Sequence, residues 1–272
     1  MTSLPVHCAL FVPASRPERF AKALQTEADV VIIDLEDAVE YDLKDQARRN
    51  IREFLSMHPQ ARVWVRINDA TTGWFNEDLA LCADMPGVVA IVLPKAESAV
   101  QVRQARAAGK PIVPIVESAR GVLALSELAS APGVMRLSFG SLDMMLEMGT
   151  RPDTAGAAVV LDQIRCQILL HSAMHGLQAP LDGVYPDFTN LEGLAAVAAR
   201  SRDMGFAGLL AIHPRQVAII QETFAPSSQE REWAKRVVDQ ADATGTLAFQ
   251  IDGKMVDAPV IARARQLLAT CR

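Results

Sequence analysis

Two carboxylates close apolar runs in the middle of this chain. The segment Ile112-Val113-Pro114-Ile115-Val116 ends on Glu117, and the run that finishes at Phe139 leads through Gly140-Ser141-Leu142 to Asp143. A short apolar run rich in β-branched residues, with no alternation of apolar and polar, marks the first as a strand buried on both faces, and the second repeats the arrangement, so both acids fall at or just past strand ends. Held together there, they could bind a hard divalent cation such as Mg²⁺, which takes oxygen ligands and needs only one or two protein carboxylates. Two structural readings stand beside the metal. Asp143 could cap a helix that starts in its own loop, and Glu117 could pair with Arg120 or Arg136.

Other reactive side chains close other runs. Arg66 interrupts Val63-Trp64-Val65-Arg66-Ile67, and a guanidinium in a buried run requires an anion: a substrate carboxylate, a developing enolate oxygen, or Glu36 or Asp37 of the chain itself. Lys95, which follows Leu93-Pro94, could form a Schiff base or serve as the electrostatic partner of a nearby acid. His213 could act as a general base or hold a turn through the dipeptide His213-Pro214.

These residues need a scaffold that brings them together. Eight strand-like runs, residues 6–12, 30–34, 63–67, 88–93, 112–116, 134–139, 177–181 and 208–212, alternate with amphipathic stretches at 17–26, 44–57, 99–108, 123–129 and 191–204. Such alternation implies a parallel sheet, and eight units are the count of a (β/α)8 TIM barrel. A doubly wound open sheet competes with it, but no Gly-x-Gly-x-x-Gly follows any strand. In a barrel the residues after the strands share one rim, here Arg16, Asp34, Glu36, Asp37, Arg66, Lys95, Glu117, Asp143, Asp182 and His213. So much charge is costly without a charged ligand. The barrel is expected over residues 1–224. Residues 225–272 are expected to form a short C-terminal extension, with a helix at 229–243, a β-like excursion turned at Asp252-Gly253 and a last helix at 260–269, suited to a lid or subunit-contact arm.

A length of 272 residues suits one α/β barrel, and a net charge of −5 without a basic stripe argues against nucleic acid. No stretch approaches a membrane span. Met1-Thr2-Ser3-Leu4-Pro5 lacks the charged and apolar regions of a signal peptide, so a cytoplasmic location is expected. Cys8, Cys82, Cys166 and Cys271 have no close spacing and are expected as free thiols.

The ordered set of motifs resembles the citrate lyase beta-subunit-like group of the HpcH/HpaI aldolase superfamily, along nearly the whole chain. The resemblance is carried by Leu10-Phe11-Val12-Pro13-Ala14-Ser15-Arg16-Pro17-Glu18-Arg19-Phe20, Asp34-Leu35-Glu36-Asp37-Ala38-Val39, Val65-Arg66-Ile67-Asn68 and Leu93-Pro94-Lys95. It continues through Val116-Glu117-Ser118-Ala119-Arg120-Gly121, Phe139-Gly140-Ser141-Leu142-Asp143, Ala211-Ile212-His213-Pro214-Arg215-Gln216 and Gly253-Lys254-Met255-Val256-Asp257-Ala258-Pro259. It implies a (β/α)8 barrel, a homotrimer, and Mg²⁺ held by the residues matching Glu117 and Asp143.

The implied activity is cleavage or formation of a carbon–carbon bond between a 2-oxo acid and an acyl-coenzyme A enolate, on thioesters such as malyl-, citramalyl- or citryl-CoA. Arg66 matches the arginine that contacts substrate, and Asp257 matches a lid aspartate that reaches a neighbouring subunit's site as acid/base. Under that chemistry Glu36 and Asp37 would orient metal-bound water or Arg66, and Arg16, Arg19 and Lys22 are candidates for the coenzyme A phosphates. Two alternatives stay open: a CoA-independent 2-oxo-acid aldolase, and a citrate lyase beta subunit that acts on an acyl-carrier-protein thioester within a complex.

Overall fold

Every one of the eight apolar runs contributes to a single closed sheet. In the computed structural model, which describes residues 5–269, the strands are β1 (Cys8–Pro13), β2 (Val30–Asp34), β3 (Val63–Arg66), β4 (Val88–Leu93), β5 (Ile112–Val116), β6 (Ser138–Phe139), β7 (Leu181–Asp182) and β8 (Gly208–Ala211). They pair in sequence order, all parallel, and β1 closes on β8 through Cys8↔Leu209. Gly208 permits that closure: a Cβ there would fall inside 3.0 Å of the His7 backbone. The architecture is therefore a (β/α)8 TIM barrel.

Strand alternation divides the core. Ala9, Ile32, Trp64, Ala90, Val92, Val113, Ile115, Leu181 and Leu210 form one buried cluster, with one or two members from nearly every strand. The barrel is thus a packed interior rather than a pore. The alternate strand residues, such as Val31, Ile33, Val63, Val65, Ile91 and Ile112, are equally buried, as two-sided strands require. Helix Lys44–Met57 buries Ala47, Ile51, Phe54 and Leu55, the i, i+4, i+7, i+8 stripe of an amphipathic helix. Ser98 and Gln101 form a reciprocal capping box on Ala99–Arg106.

Three local features depart from the sequence reading. Runs 134–139 and 177–181 yield only two strand residues each. Pro180 lacks the N–H that would extend β7, and Val134 makes only an isolated bridge to Ile112. The stretch at 123–129 forms two short helices, Ala119–Leu123 and Leu125–Ser130. The 20-residue helix Ala155–Met174 buries Ala157, Leu161, Ile164 and Ile168 on one face but carries Val159, Leu170 and Met174 on the exposed side, so periodicity did not single it out.

The described chain divides into two compact units, one of residues Val6–Thr223 and one built from Phe224 onward together with Pro5. The C-terminal unit contains helix Ser228–Thr244, a hairpin of β9 (Phe249–Ile251) and β10 (Lys254–Val256), and helix Ala258–Ala269. Ala234, Val237, Ala241, Val256, Ile261 and Ala264 form its own core. Among the described residues, no helix is long and apolar enough to cross a membrane. Cys8, Cys82 and Cys166 are free thiols, whereas Cys271 and the segment before Pro5 lie outside the described residues.

Candidate active site

The site is assembled from the carboxyl ends of the strands. β2 ends in Asp34, whose Oδ1 accepts the Glu36 N–H at 2.9 Å and whose Oδ2 accepts the Ala38 N–H at 3.2 Å. The acid-rich loop is thereby folded over the strand end. In the β2–β3 register Asp34 stands beside Arg66. The guanidinium grips it with two parallel bonds, Nε to Oδ1 at 2.7 Å and Nη2 to Oδ2 at 2.6 Å. Its remaining nitrogen, Nη1, is 3.1 Å from Glu36 Oε2 and 3.9 Å from Asp37 Oδ2. The Phe11 ring lies 4.7 Å from Arg66 Cζ.

Burial alone would raise Asp34, but the adjoining guanidinium more than offsets it and holds the acid below the usual carboxylate range. Arg66 itself is moved upward: burial opposes its charge and Asp34 outweighs that burial.

Glu117 extends from β5 and is 5% exposed. Its Oε1 accepts the Lys95 N–H at 2.6 Å. Its other oxygen occupies space left by Gly140, where a Cβ would come inside 3.0 Å of Glu117 Cβ and Oε2. Burial, followed by the charges of Glu36 and Asp143, pushes Glu117 up to about 8. Burial likewise raises Glu36 to about 7; Arg66 and Lys95 oppose that rise and Asp37 adds to it. Glu36 Oε2 is buried and, despite its nearness to Arg66, has no hydrogen bond of good geometry. Asp143 lies in the first turn of Ser141–Glu147 and makes no capping bond.

Asp34, Asp37, Arg66, Glu117, Gly140 and Asp143 line one cavity of about 260 Å³. Two carboxylates from adjacent strand ends face this one space, a donor set that could hold a divalent cation, and burial disfavours the charged form of at least one of them. A bound cation relieves that penalty. No group of three or more ligating side chains exists among the described residues. Two carboxylates are enough for Mg²⁺, which commonly keeps water or substrate on its remaining positions.

Both structural alternatives for the acids fail. Arg120 turns to Glu97, 3.6 Å away, and Arg136 bonds Gln178, so neither serves Glu117. Lys95 takes the role of partner, with Nζ bonded to Glu36. His213 stacks on Phe188 at 4.6 Å, and its Nδ1 accepts the Arg215 N–H at 3.1 Å, a turn-holding arrangement. Arg16, Arg19 and Lys22 lie exposed on the segment after β1. Asp257 belongs to the C-terminal unit, where its Oδ1 accepts the Val260 N–H at 3.4 Å at the start of the last helix.

Three contributions escaped the reading of the sequence: Asp34 as the clamp on Arg66, Gly140 as the space for Glu117, and the Lys95 backbone as a donor. The signal for the first was an acid at a strand end beside an arginine at the next one.

Residues 7–214 match the family described as HpcH/HpaI aldolase/citrate lyase. A citrate lyase subunit beta-like protein of Mycobacterium tuberculosis is 37% identical over 262 residues, covering 95% of this chain and 93% of that protein. A (3S)-malyl-CoA thioesterase of Cereibacter sphaeroides is 37% identical over 275 residues, covering 97% and 94%. The crystal structure of CitE from Mycobacterium tuberculosis in complex with magnesium, acetoacetate and coenzyme A superposes with a TM-score of 0.86 at 35% identity, covering 98% of each chain.

Proposed function

We infer the activity from kinship and geometry together: the chain belongs to the HpcH/HpaI aldolase/citrate lyase family, and it is a Mg²⁺-dependent carbon–carbon lyase of 3-hydroxyacyl-CoA thioesters. The substrates of this class include malyl-, citramalyl- and citryl-CoA, and the products are a 2-oxo acid and an acyl-CoA. The observation that carries the reading is the single cavity shared by Glu117, Asp143 and Arg66.

Glu117 and Asp143 would hold the metal, which when bound supplies Lewis acidity to the oxygens of the 2-oxo acid. In the cleavage direction a base of the site takes up the hydroxyl proton and the bond from the hydroxyl-bearing carbon to the thioester α-carbon breaks. Its electron pair passes to the thioester oxygen as an enolate. Arg66, fixed by Asp34, presents positive charge to that oxygen without having to reorganise. Asp257 then returns a proton to the α-carbon. It acts from the C-terminal unit as a lid over a neighbouring protomer of a homotrimer. Glu36 and Asp37 would orient Arg66 or water on the metal, and Arg16, Arg19 and Lys22 would receive the coenzyme A phosphates. The enzyme is cytoplasmic and works on small molecules.

The similarity to a malyl-CoA thioesterase favours hydrolysis of the thioester as a second outcome at the same site. One experiment separates them. Purified protein with Mg²⁺ is given malyl-CoA and citramalyl-CoA, and the products are identified by mass spectrometry. Release of a 2-oxo acid with acetyl-CoA establishes the lyase; a hydroxy acid with free coenzyme A establishes the hydrolase. Glu117→Ala and Asp143→Ala should each abolish turnover, and retained activity in either refutes the metal assignment.

A further inference from the structure

Lys95 follows β4 with φ +46°, the left-handed region that a residue with a side chain rarely adopts. The other two non-glycine residues with positive φ among those described, Asp153 and Asp252, are exposed turn positions. At Lys95 the unusual backbone has a consequence in the site. It directs the N–H onto Glu117 Oε1 at 2.6 Å. From the same residue, Nζ bonds Glu36 and lies 3.7 Å from Asp37 Oδ1. Glu36 in turn approaches Arg66 Nη1 at 3.1 Å. Lys95 Nζ is the only hydrogen-bond donor to the Glu36 side chain among the described residues.

Lys95 does not line the 260 Å³ cavity; it borders a neighbouring one of about 540 Å³ with Glu36, Asp37, Tyr41 and Trp74. Its contacts within the site are with the acids themselves, through the N–H to Glu117 and through Nζ to Glu36. We propose that Lys95 is a positioning residue that couples the two halves of the site: its backbone N–H sets the metal-side carboxylate Glu117, while its side chain sets Glu36 against Arg66. The strained backbone is what allows one residue to serve both. Neither function substitutes for the other. The N–H survives most substitutions, whereas the ammonium does not.

The proposal rests on the reading of Glu117 as a metal ligand, and its test separates the two arms. In the first arm, Mg²⁺ alone is titrated calorimetrically into the full-length protein and into a form whose residue 95 is the lysine α-hydroxy acid. That form keeps the side chain and replaces the N–H by an ester oxygen. The ester form should bind Mg²⁺ about 10- to 100-fold more weakly, with an unchanged circular dichroism spectrum.

In the second arm, Lys95→Met should bind Mg²⁺ within about twofold of the unmodified protein. Its kcat should fall by roughly 10²-fold at a nearly constant KM, and Lys95→Arg should recover part of the loss. Equal Mg²⁺ affinity in the ester and unmodified forms overturns the coupling while leaving the lyase reading intact, as does unchanged kcat in Lys95→Met. Failure of the unmodified protein to bind Mg²⁺ overturns both.

Discussion

Gly140→Ala is a one-carbon test of how the site is built. The added Cβ would fall inside 3.0 Å of Glu117 Cβ and Oε2 and 3.1 Å from Ile115 Cγ2. Carbon atoms in contact prefer about 3.5–4.0 Å, so Glu117 must retreat by roughly an ångström or more, and because its Cβ is one of the clashing atoms the end of β5 must shift with it. Overpacking of this kind costs about 1–3 kcal/mol, which lowers Tm by several degrees in a chain of this size and leaves it folded.

The effect on function should be larger. Displacement of a metal-side carboxylate, and strain on its bond from Lys95 N–H, should weaken Mg²⁺ binding by about 10- to 100-fold. Misplacement on this scale should lower turnover by up to roughly 10²-fold even at saturating metal. Calorimetric Mg²⁺ titration, thermal denaturation and kcat at saturating Mg²⁺ measure the three effects separately. A folded Gly140→Ala protein that binds Mg²⁺ like the parent and turns over at the parental rate would refute the placement of Glu117 in the metal site.

Two more predictions follow from the same geometry. Asp34→Ala leaves the Arg66 guanidinium, whose side chain is only 13% exposed, without its bidentate partner. Loss of one member of a buried pair costs about 3–5 kcal/mol; denaturant unfolding should show that loss, and a change below about 1 kcal/mol would mean that Glu36 replaces Asp34 as the clamp. Glu117 is raised to about 8 in the metal-free fold, well above its unfolded value of about 4.3. Between those values the folded state binds more protons than the unfolded one, so metal-free stability should fall as pH rises through this window. Over the same window Mg²⁺ competes with the proton, and its affinity should climb by up to about tenfold per pH unit before levelling near pH 8. Titrations at pH 6, 7 and 8 check this, and an affinity independent of pH would refute the coupling of Glu117 to the metal.

Much of this protein was legible from residue order alone. Whether a run is apolar on both faces is a local property, and so is the identity of the residue that closes it. Eight such runs separated by helical stretches leave few alternatives to a closed parallel barrel, and a barrel gathers its strand-end residues at one rim. Glu117, Asp143 and Arg66 could be named together for that reason. So could the hairpin and flanking helices of the C-terminal unit, marked by Asp252-Gly253 and by their own periodicity.

What stayed hidden depends on relations between distant segments. Arg66 was read as meeting substrate, Glu36 or Asp37, yet its bidentate partner is Asp34, because the β2–β3 register sets those two residues side by side. Register is a property of the closed sheet, and no stretch of sequence encodes it by itself. Gly140 carries no sign of its purpose until Glu117 from the neighbouring strand fills the space above it. The Lys95 donor is invisible in a residue type known for its ammonium, since the direction of an N–H is decided by a backbone angle that the surrounding fold imposes. Sequence chose the polar groups that close the strands; barrel closure chose which of them touch, because Asp34 and Arg66 are 32 residues apart in the chain and Lys95 and Glu117 are 22 apart, adjacent only once the sheet is complete.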